Sequence, residues 1–151
     1  MRVQEVMTRQ PVCCLSRDTA QVVAKILRDE DIGSLPIVSD RSLAHLEGII
    51  TDRDLVCRVI SEGLNPQTTT IEAFITRNPV TCRPEQSLES CEKLMQTHQI
   101  RRIPVVDKNG CCVGILSQAD VARSEAADKV HKTLAEISRP SQVIIATGSA
   151  A

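Results

Sequence analysis

The sequence predicts an α+β fold made of two β-α-β-β-α repeats that are related by a pseudo-twofold axis. The first observation is a motif of Gly, two aliphatic residues, a hydroxyl residue, two variable residues, Asp and an aliphatic residue, which occupies residues 48–55 and returns at residues 114–121. The second is an Ile-x-x-aliphatic-Pro-aliphatic-Val pattern at residues 32–38, which returns at residues 100–106. Two linked motifs that recur in the same order indicate an internal duplication.

The spacing of equivalent positions supports this duplication. Pro36 and Pro104 are 68 positions apart, whereas Gly48 and Gly114 are 66 apart. One two-residue difference in the loop between the motifs reconciles the alignment. Because neither repeat buries much core with three short strands, we expect the two sheets to pack face to face.

The first repeat reads as short strands that alternate with amphipathic helices. Thr19 is a plausible N-cap, and the apolar residues that follow it recur at helical spacing. After Thr51, we expect Leu55, Val56, Val59 and Ile60 to form one apolar helical face. The predicted elements are a helical turn at 1–8, strands at 12–15, 35–38 and 45–51, and helices that end near Gly33 and Gly63.

The same order starts again after a polar linker at residues 64–70. A helical turn at 71–75 and a strand at 78–82 precede a helix that Ser87 opens and His98 closes. We therefore predict a first repeat with its N-terminal helical turn at 1–66, a second repeat at 67–125, and a C-terminal helix and tail at 126–151.

The C-terminal segment lies outside the duplication. Val130, Leu134 and Ile137 form a helical stripe that ends before Pro140, and residues 143–145 form a short strand-like run. A strap over the repeats and a surface for a partner are both open interpretations.

Composition excludes several classes of protein. The 151 residues are 42% hydrophobic and 25% charged, which is typical of a globular chain. No apolar run approaches the ~20 residues that a membrane-spanning helix needs, so we expect no membrane partner and a cytoplasmic location. A net charge of −1 and a single aromatic residue, Phe74, argue against a nucleic-acid partner.

The seven cysteines are odd in number and form no C-x-x-C pair, which favours free thiols in a reducing compartment. Neighbouring side chains in a strand point to opposite faces, so neither the pair at 13–14 nor the pair at 111–112 predicts a vicinal disulfide or a metal site. His45 and His98 have no partner at ligand spacing, and no catalytic motif stands out. We expect no metal and no enzyme activity.

The repeated motif ends a strand at a hydroxyl residue and begins a helix. Thr51 with Asp54, and Ser117 with Asp120, fit a capping box that stabilises the helix by about 1 kcal/mol. The same helix start also suits a phosphate, and an adjacent Asp suits ribose hydroxyls. The residues alone leave both interpretations open.

The two linked motifs resemble those of cystathionine-β-synthase (CBS) domains. Over residues 1–125 the chain is similar to a tandem CBS pair, also called a Bateman module, of the stand-alone bacterial type. The resemblance implies a regulatory module whose clefts bind AMP, ADP, ATP or S-adenosylmethionine, with no obligatory cofactor. It also implies a homodimer formed through the helices that flank the sheets, and a partner protein that the module regulates.

The resemblance assigns candidate roles by position. Asp54 and Asp120 would hold ribose hydroxyls, and Thr51 and Ser117 would lie near ribose or phosphate. The other candidates are the apolar adenine walls Ile32, Pro36, Ile100 and Pro104, the adenine-edge residues Val12, Cys13, Val80 and Thr81, and the phosphate partners Arg53, Arg101 and Arg102.

The two copies differ at the phosphate positions. Gly33 and Ser34 replace Arg101 and Arg102 in the first repeat, and Ala119 replaces Arg53 in the second. One dominant phosphate site is therefore favoured over two equivalent sites. Two alternative hypotheses remain: a structural or interaction module with empty clefts, and a redox sensor that uses an exposed thiol.

Overall fold

The predicted α+β class is confirmed in a computed structural model that describes residues 1–124 and 126–140. The first sheet has the strand order β2-β3-β4-β5 and the second has the order β1-β7-β6. In chain order, the elements are α1 (Val3–Val6), β1 (Thr8–Arg9), β2 (Cys14–Leu15), α2 (Ala20–Asp29), β3 (Ser34–Val38), β4 (Leu46–Thr51), α3 (Asp52–Asp54), a π-helical turn (Leu55–Ile60), a 3₁₀ turn (Ile71–Ala73), β5 (Thr76–Arg77), α4 (Leu88–His98), β6 (Arg102–Val106), β7 (Cys112–Ser117), α5 (Gln118–Ser124) and α6 (Ala127–Ile137).

The segment that leads into each repeat pairs with the sheet of the other repeat. β1 lies at the start of the first repeat but pairs with β7 of the second, with Thr8 opposite Ile115. β5 lies at the start of the second repeat but pairs with β4 of the first, with Thr76 opposite Ile49. The exchange uses equivalent positions in both directions, as a pseudo-twofold axis requires.

Each leading segment also completes the other repeat's core. Ile71 and Ile75 are buried among residues of the first repeat, whereas Val3 is buried among residues of the second. Backbone hydrogen bonds fix both segments: the Val3 N–H donates to Gln86 O at 3.0 Å, and the Ile71 N–H donates to Asp18 O at 3.0 Å. Each leading turn therefore packs in the core of the other repeat and not in the core of the repeat to which it belongs in sequence.

The glycine of the repeated motif allows the exchanged strands to approach closely. A Cβ atom at Gly48 would lie 2.6 Å from Thr76 O, and one at Gly114 would lie 2.5 Å from Met7 Sδ. A larger residue at Gly48 would therefore push the exchanged strand away from its sheet. A larger residue at Gly114 would displace the Met7 side chain and crowd Thr8 O, which lies 3.1 Å away.

Two sequence predictions of local structure are wrong in part. The turn after α3 is π-helical, and only Leu55 and Val59 are buried; Val56 is 59% exposed and Ile60 is 57% exposed, because they face away from the core. In the predicted strand at 78–82, only Cys82 pairs with another strand. Asn78 has a positive φ of 48° and precedes a proline, so extended pairing cannot start there.

The C-terminal helix packs onto the second repeat as a strap. Gln96 Nε2 of α4 donates to Thr133 Oγ1 of α6 at 2.9 Å, and Ile137 is buried in the second-repeat core. The strand-like run at 143–145 lies outside the described residues. Within residues 1–124 and 126–140, no helix has the length and apolar character that crossing a membrane requires.

Candidate functional site

Two clefts lie between the repeats. The first cleft has a volume of about 480 Å³ and combines Ile32 and Pro36 of the first repeat with Ser117 and Asp120 of the second. The second cleft has a volume of about 830 Å³ and reverses these contributions. Both volumes fall in the range of small-molecule sites.

The sequence-predicted residues divide between the clefts according to the pseudo-symmetry. The first cleft contains Val12, Ile32, Pro36, Arg102, Ser117 and Asp120. The second contains Thr51, Arg53, Val80, Ile100, Arg101, Arg102 and Pro104. Asp54, Cys13 and Thr81 are absent from both linings.

Asp54 is held within its own helix start. Its Oδ2 atom accepts hydrogen bonds from the Thr51 N–H at 2.9 Å and the Thr51 hydroxyl at 3.0 Å. Its Oδ1 atom lies 4.0 Å from Arg58 Nη1, and Arg58 in turn donates to Phe74 O. This geometry is that of a capping box, one of the two interpretations that the residues left open.

Asp120 makes the equivalent contacts but also faces a cleft. The Ser117 N–H and hydroxyl donate to Asp120 Oδ2 at 2.8 Å and 2.7 Å. Arg123 Nη2 donates to Asp120 Oδ1 at 2.6 Å, and Asp120 is only 6% exposed. Ser117 and Arg123 therefore fix the Asp120 carboxylate in the wall of the first cleft.

Ser34 and Arg102 line both clefts. They occupy equivalent positions, since Ser34 pairs with Thr51 and Arg102 pairs with Ser117. A Cβ atom at Gly33 would lie 3.1 Å from Arg102 Nη2, so the guanidinium lies over Gly33. The small residues of the first repeat thus make room for one large cation between the clefts.

The Ser34 hydroxyl is a buried polar group without a partner among the described residues. Ser34 is 3% exposed, and its Oγ atom makes no hydrogen bond there. Because an unsatisfied buried hydroxyl costs about 1–3 kcal/mol, such an atom in a cleft wall fits a position that a ligand contacts.

The sequence did not single out four backbone positions that line the clefts. Gln10 and Asp31 line the first cleft, and Asn78 and Gln99 line the second. All four have positive φ angles, between 46° and 53°. Non-glycine residues in this conformation concentrate at functional sites. For Gln10 and Asn78 the available sequence signal was the proline that directly follows each of them at equivalent positions of the two repeats.

The clefts carry opposite charge. The first is lined by the carboxylates of Glu30, Asp31 and Asp120 against the guanidinium groups of Arg102 and Arg123. Carboxylates therefore outnumber cations there, which favours a neutral or cationic ligand.

The second cleft is cationic. Arg53, Arg101, Arg102 and Arg139 line it against one acid, Asp52. Arg139 follows α6, and its backbone oxygen accepts a hydrogen bond from Gln99 Nε2 at 3.4 Å. The C-terminal strap thus adds a cation that has no counterpart in the duplication.

The fold and the clefts define an internally duplicated module with ligand-sized sites between its repeats. The profile of the CBS domain family matches residues 3–61 and 71–127, and the chain belongs to this family. In the described ranges 1–124 and 126–140, no group of three or more His, Cys, Asp or Glu side chains could hold a metal ion.

Similar proteins include short CBS proteins and isolated CBS pairs. The CBS domain-containing protein YhcV of Bacillus subtilis (strain 168) is 34% identical over 127 residues, which cover 84% of this chain and 87% of YhcV. A structure of Hypoxic Response Protein I with two coordinated zinc ions has a TM-score of 0.74 at 31% identity and covers 83% of this chain and 100% of that chain. The CBS pair of protein MJ0100, solved with 5-methylthioadenosine and S-adenosyl-L-methionine, has a TM-score of 0.72 at 29% identity. The match covers 82% of this chain and 94% of that chain.

Proposed function

We propose that this protein is a regulatory CBS pair that binds adenosine-containing ligands between its repeats and signals by a change of shape or partner. The observation that carries the proposal is the pair of clefts, of about 480 and 830 Å³, that share Ser34 and Arg102. A ligand shifts such a module only through different affinities for two arrangements. The seven free thiols favour a reducing compartment such as the cytoplasm.

Adenine would lie between the aliphatic wall and the leading loop of one repeat. In the first cleft this wall is Ile32 and Pro36, and the loop contributes Val12. Asp120 would accept hydrogen bonds from ribose hydroxyls, as a buried carboxylate in a cleft wall can do. Asp54 would act instead by fixing Thr51 at the rim of the second cleft.

The charge difference between the clefts supports a different ligand for each. The second cleft would take a nucleotide phosphate, because its guanidinium groups offer paired donors to phosphate oxygens. The first cleft would take an uncharged nucleoside or a sulfonium such as S-adenosylmethionine, because its excess of carboxylates repels phosphate.

Calorimetric titration is the direct test of this assignment. We expect AMP to bind the unmodified protein more tightly than adenosine, and Arg53→Ala to weaken AMP binding by about tenfold while S-adenosylmethionine binding stays within about threefold. Asp120→Asn should weaken S-adenosylmethionine binding by about tenfold while AMP binding stays within about threefold, because Asp120 lines only the first cleft. Equal effects of both substitutions on both ligands would contradict the assignment.

A structural module is the alternative candidate function. It is favoured by the capping contacts of Asp54 and Asp120, whose Oδ2 atoms are both satisfied within the chain. If AMP, ADP, ATP, adenosine and S-adenosylmethionine all leave the melting temperature unchanged at millimolar concentration, the structural function replaces the regulatory one.

Dimerisation would occur through the helical face of the first repeat. Val22, Val56 and Ile60 are exposed there. In the second repeat the equivalent residues are small, with Ala122 at the position of Val56, and α6 packs against α4 and α5. A second copy of the chain would cover these apolar side chains of the first repeat.

Charge substitution on this face tests the dimer. We expect Val56→Glu combined with Ile60→Glu to convert the protein from twice the mass of the chain to a monomer in light scattering, because each buried carboxylate would cost several kcal/mol. Ala122→Glu, at the equivalent exposed position of the second repeat, is the matched control and should leave the dimer intact. Dissociation by Ala122→Glu alone would place the interface on the other repeat.

A further inference from the structure

Two cysteine thiols from different repeats meet beside the first cleft. Cys112 of β7 is 8% exposed and forms a small cluster with Leu15 and Val38, and the half-buried Cys13 packs against that cluster. The Cys13 thiol donates to Pro11 O at 3.2 Å, and the Cys112 thiol donates to Gly114 O at 3.5 Å. The interaction between the two thiols lowers the pKa of Cys13, and the same interaction together with burial raises the pKa of Cys112. The more accessible sulfur is thus the more acidic one.

We propose that Cys13 and Cys112 form a reversible disulfide that ties the two repeats together when the protein meets a peroxide. The Cys13 thiolate attacks one oxygen of hydrogen peroxide, and the O–O bond breaks. Cys13 becomes a sulfenic acid, and the hydroxide that leaves is protonated to water. The Cys112 sulfur then attacks the Cys13 sulfur, the S–O bond breaks, and a second water leaves. Two thiols lose two protons and two electrons, and one peroxide is reduced to two waters.

Exposure separates this pair from the other thiol pair. Cys82 and Cys91 also interact with each other, but they are 2% and 0% exposed in the second-repeat core. An oxidant cannot reach that pair without unfolding of the core, since reactivity requires access as well as thiolate. Of these four cysteines, Cys13 alone is partly exposed, and it lies beside a second thiol.

The disulfide would act on the first cleft through the neighbouring backbone. Val12 lines that cleft, next to Cys13 in the chain. The Cys112 N–H donates to Ala44 O at 2.8 Å, which already joins the two repeats at this point. A covalent bond here would fix the leading loop of the first repeat against β7, and therefore fix one wall of the cleft.

Peptide mapping tests the proposal in a Cys57→Ser background, which removes an exposed thiol that could cross-link molecules. After treatment with stoichiometric hydrogen peroxide, tryptic peptides 10–17 and 109–123 should appear as one species that has lost two hydrogen atoms and separates on reduction with dithiothreitol. The melting temperature should rise by about 5–15 °C, because the bond closes a loop of about 100 residues.

Each of these peptides carries two adjacent cysteines, so substitutions assign the bond. Cys13→Ser should abolish the linked species, and Cys111→Ser, on the same peptide as Cys112, should leave it unchanged. Cys112→Ser provides a second test, with circular dichroism as the check that this buried position still folds. A linked species that survives Cys13→Ser, or the absence of any linked species in the Cys57→Ser protein, overturns the proposal.

Discussion

Replacing Ile71 by alanine is expected to lower the free energy of unfolding by about 2–5 kcal/mol. Ile71 belongs to the start of the second repeat in sequence, but it is 0% exposed in the core of the first. The lost methyl and methylene groups would leave a cavity that the close-packed neighbours Leu35 and Ile50 cannot fill without strain. Urea denaturation followed by far-ultraviolet circular dichroism measures the change.

Two substitutions calibrate this result. Ile71→Val removes a single methylene group and should cost about 0.5–1.5 kcal/mol. Glu72→Ala changes the exposed neighbouring residue of the same 3₁₀ turn and should stay within about 0.5 kcal/mol. If Ile71→Ala costs no more than Glu72→Ala, the turn does not pack in the first-repeat core and the exchange of leading segments is wrong.

The duplication was predictable because the same motifs recur at regular spacing in the sequence. The exchange of the leading segments between the repeats was not predictable. Val3 and Ile71 stand at equivalent positions, so either would fit either core by its apolar character alone. The pairing strands β1 and β5 have two residues each, which is too short for an alternating pattern to identify. Only the tertiary pairing with Gly114 and Gly48 decides which repeat each segment joins.

The candidate site was predictable in its residue types but not in how the two acids differ. Thr51 with Asp54, and Ser117 with Asp120, are the same motif and make the same capping bonds. Their different relation to the clefts depends on neighbours that the motif does not contain. Arg139 was hidden for a related reason, because a residue outside the duplication has no equivalent that spacing could reveal.

Val56 and Ile60 show the limit of helical periodicity. The apolar stripe predicted four buried residues, but two of them face away from the core and remain exposed within the chain. Periodicity identifies a surface that avoids water without identifying what covers it. The same apolar residues therefore served as a prediction of core and now serve as the basis of the proposed dimer.

Arg102→Ala is expected to change the ratio of the AMP and S-adenosylmethionine dissociation constants more than any other substitution. Arg102 lines both clefts, where it is one of four arginines in the second and one of two in the first. Losing charged hydrogen bonds of about 1.5–3 kcal/mol should weaken AMP binding by about tenfold to hundredfold. Binding of S-adenosylmethionine should hold or tighten, because the first cleft becomes more negative.

The ratio of the two dissociation constants, measured by calorimetry, is the quantity to follow, because a general loss of folded protein would leave it unchanged. Arg17→Ala removes an exposed arginine that lines neither cleft and should leave the ratio at its original value. Arg102→Lys retains the charge but loses the paired donors, so it should recover only part of the AMP affinity. A ratio that Arg102→Ala leaves within about threefold of the original would mean that phosphate does not meet this guanidinium. The ligand assignment of the second cleft would then have to rest on Arg53, Arg101 and Arg139.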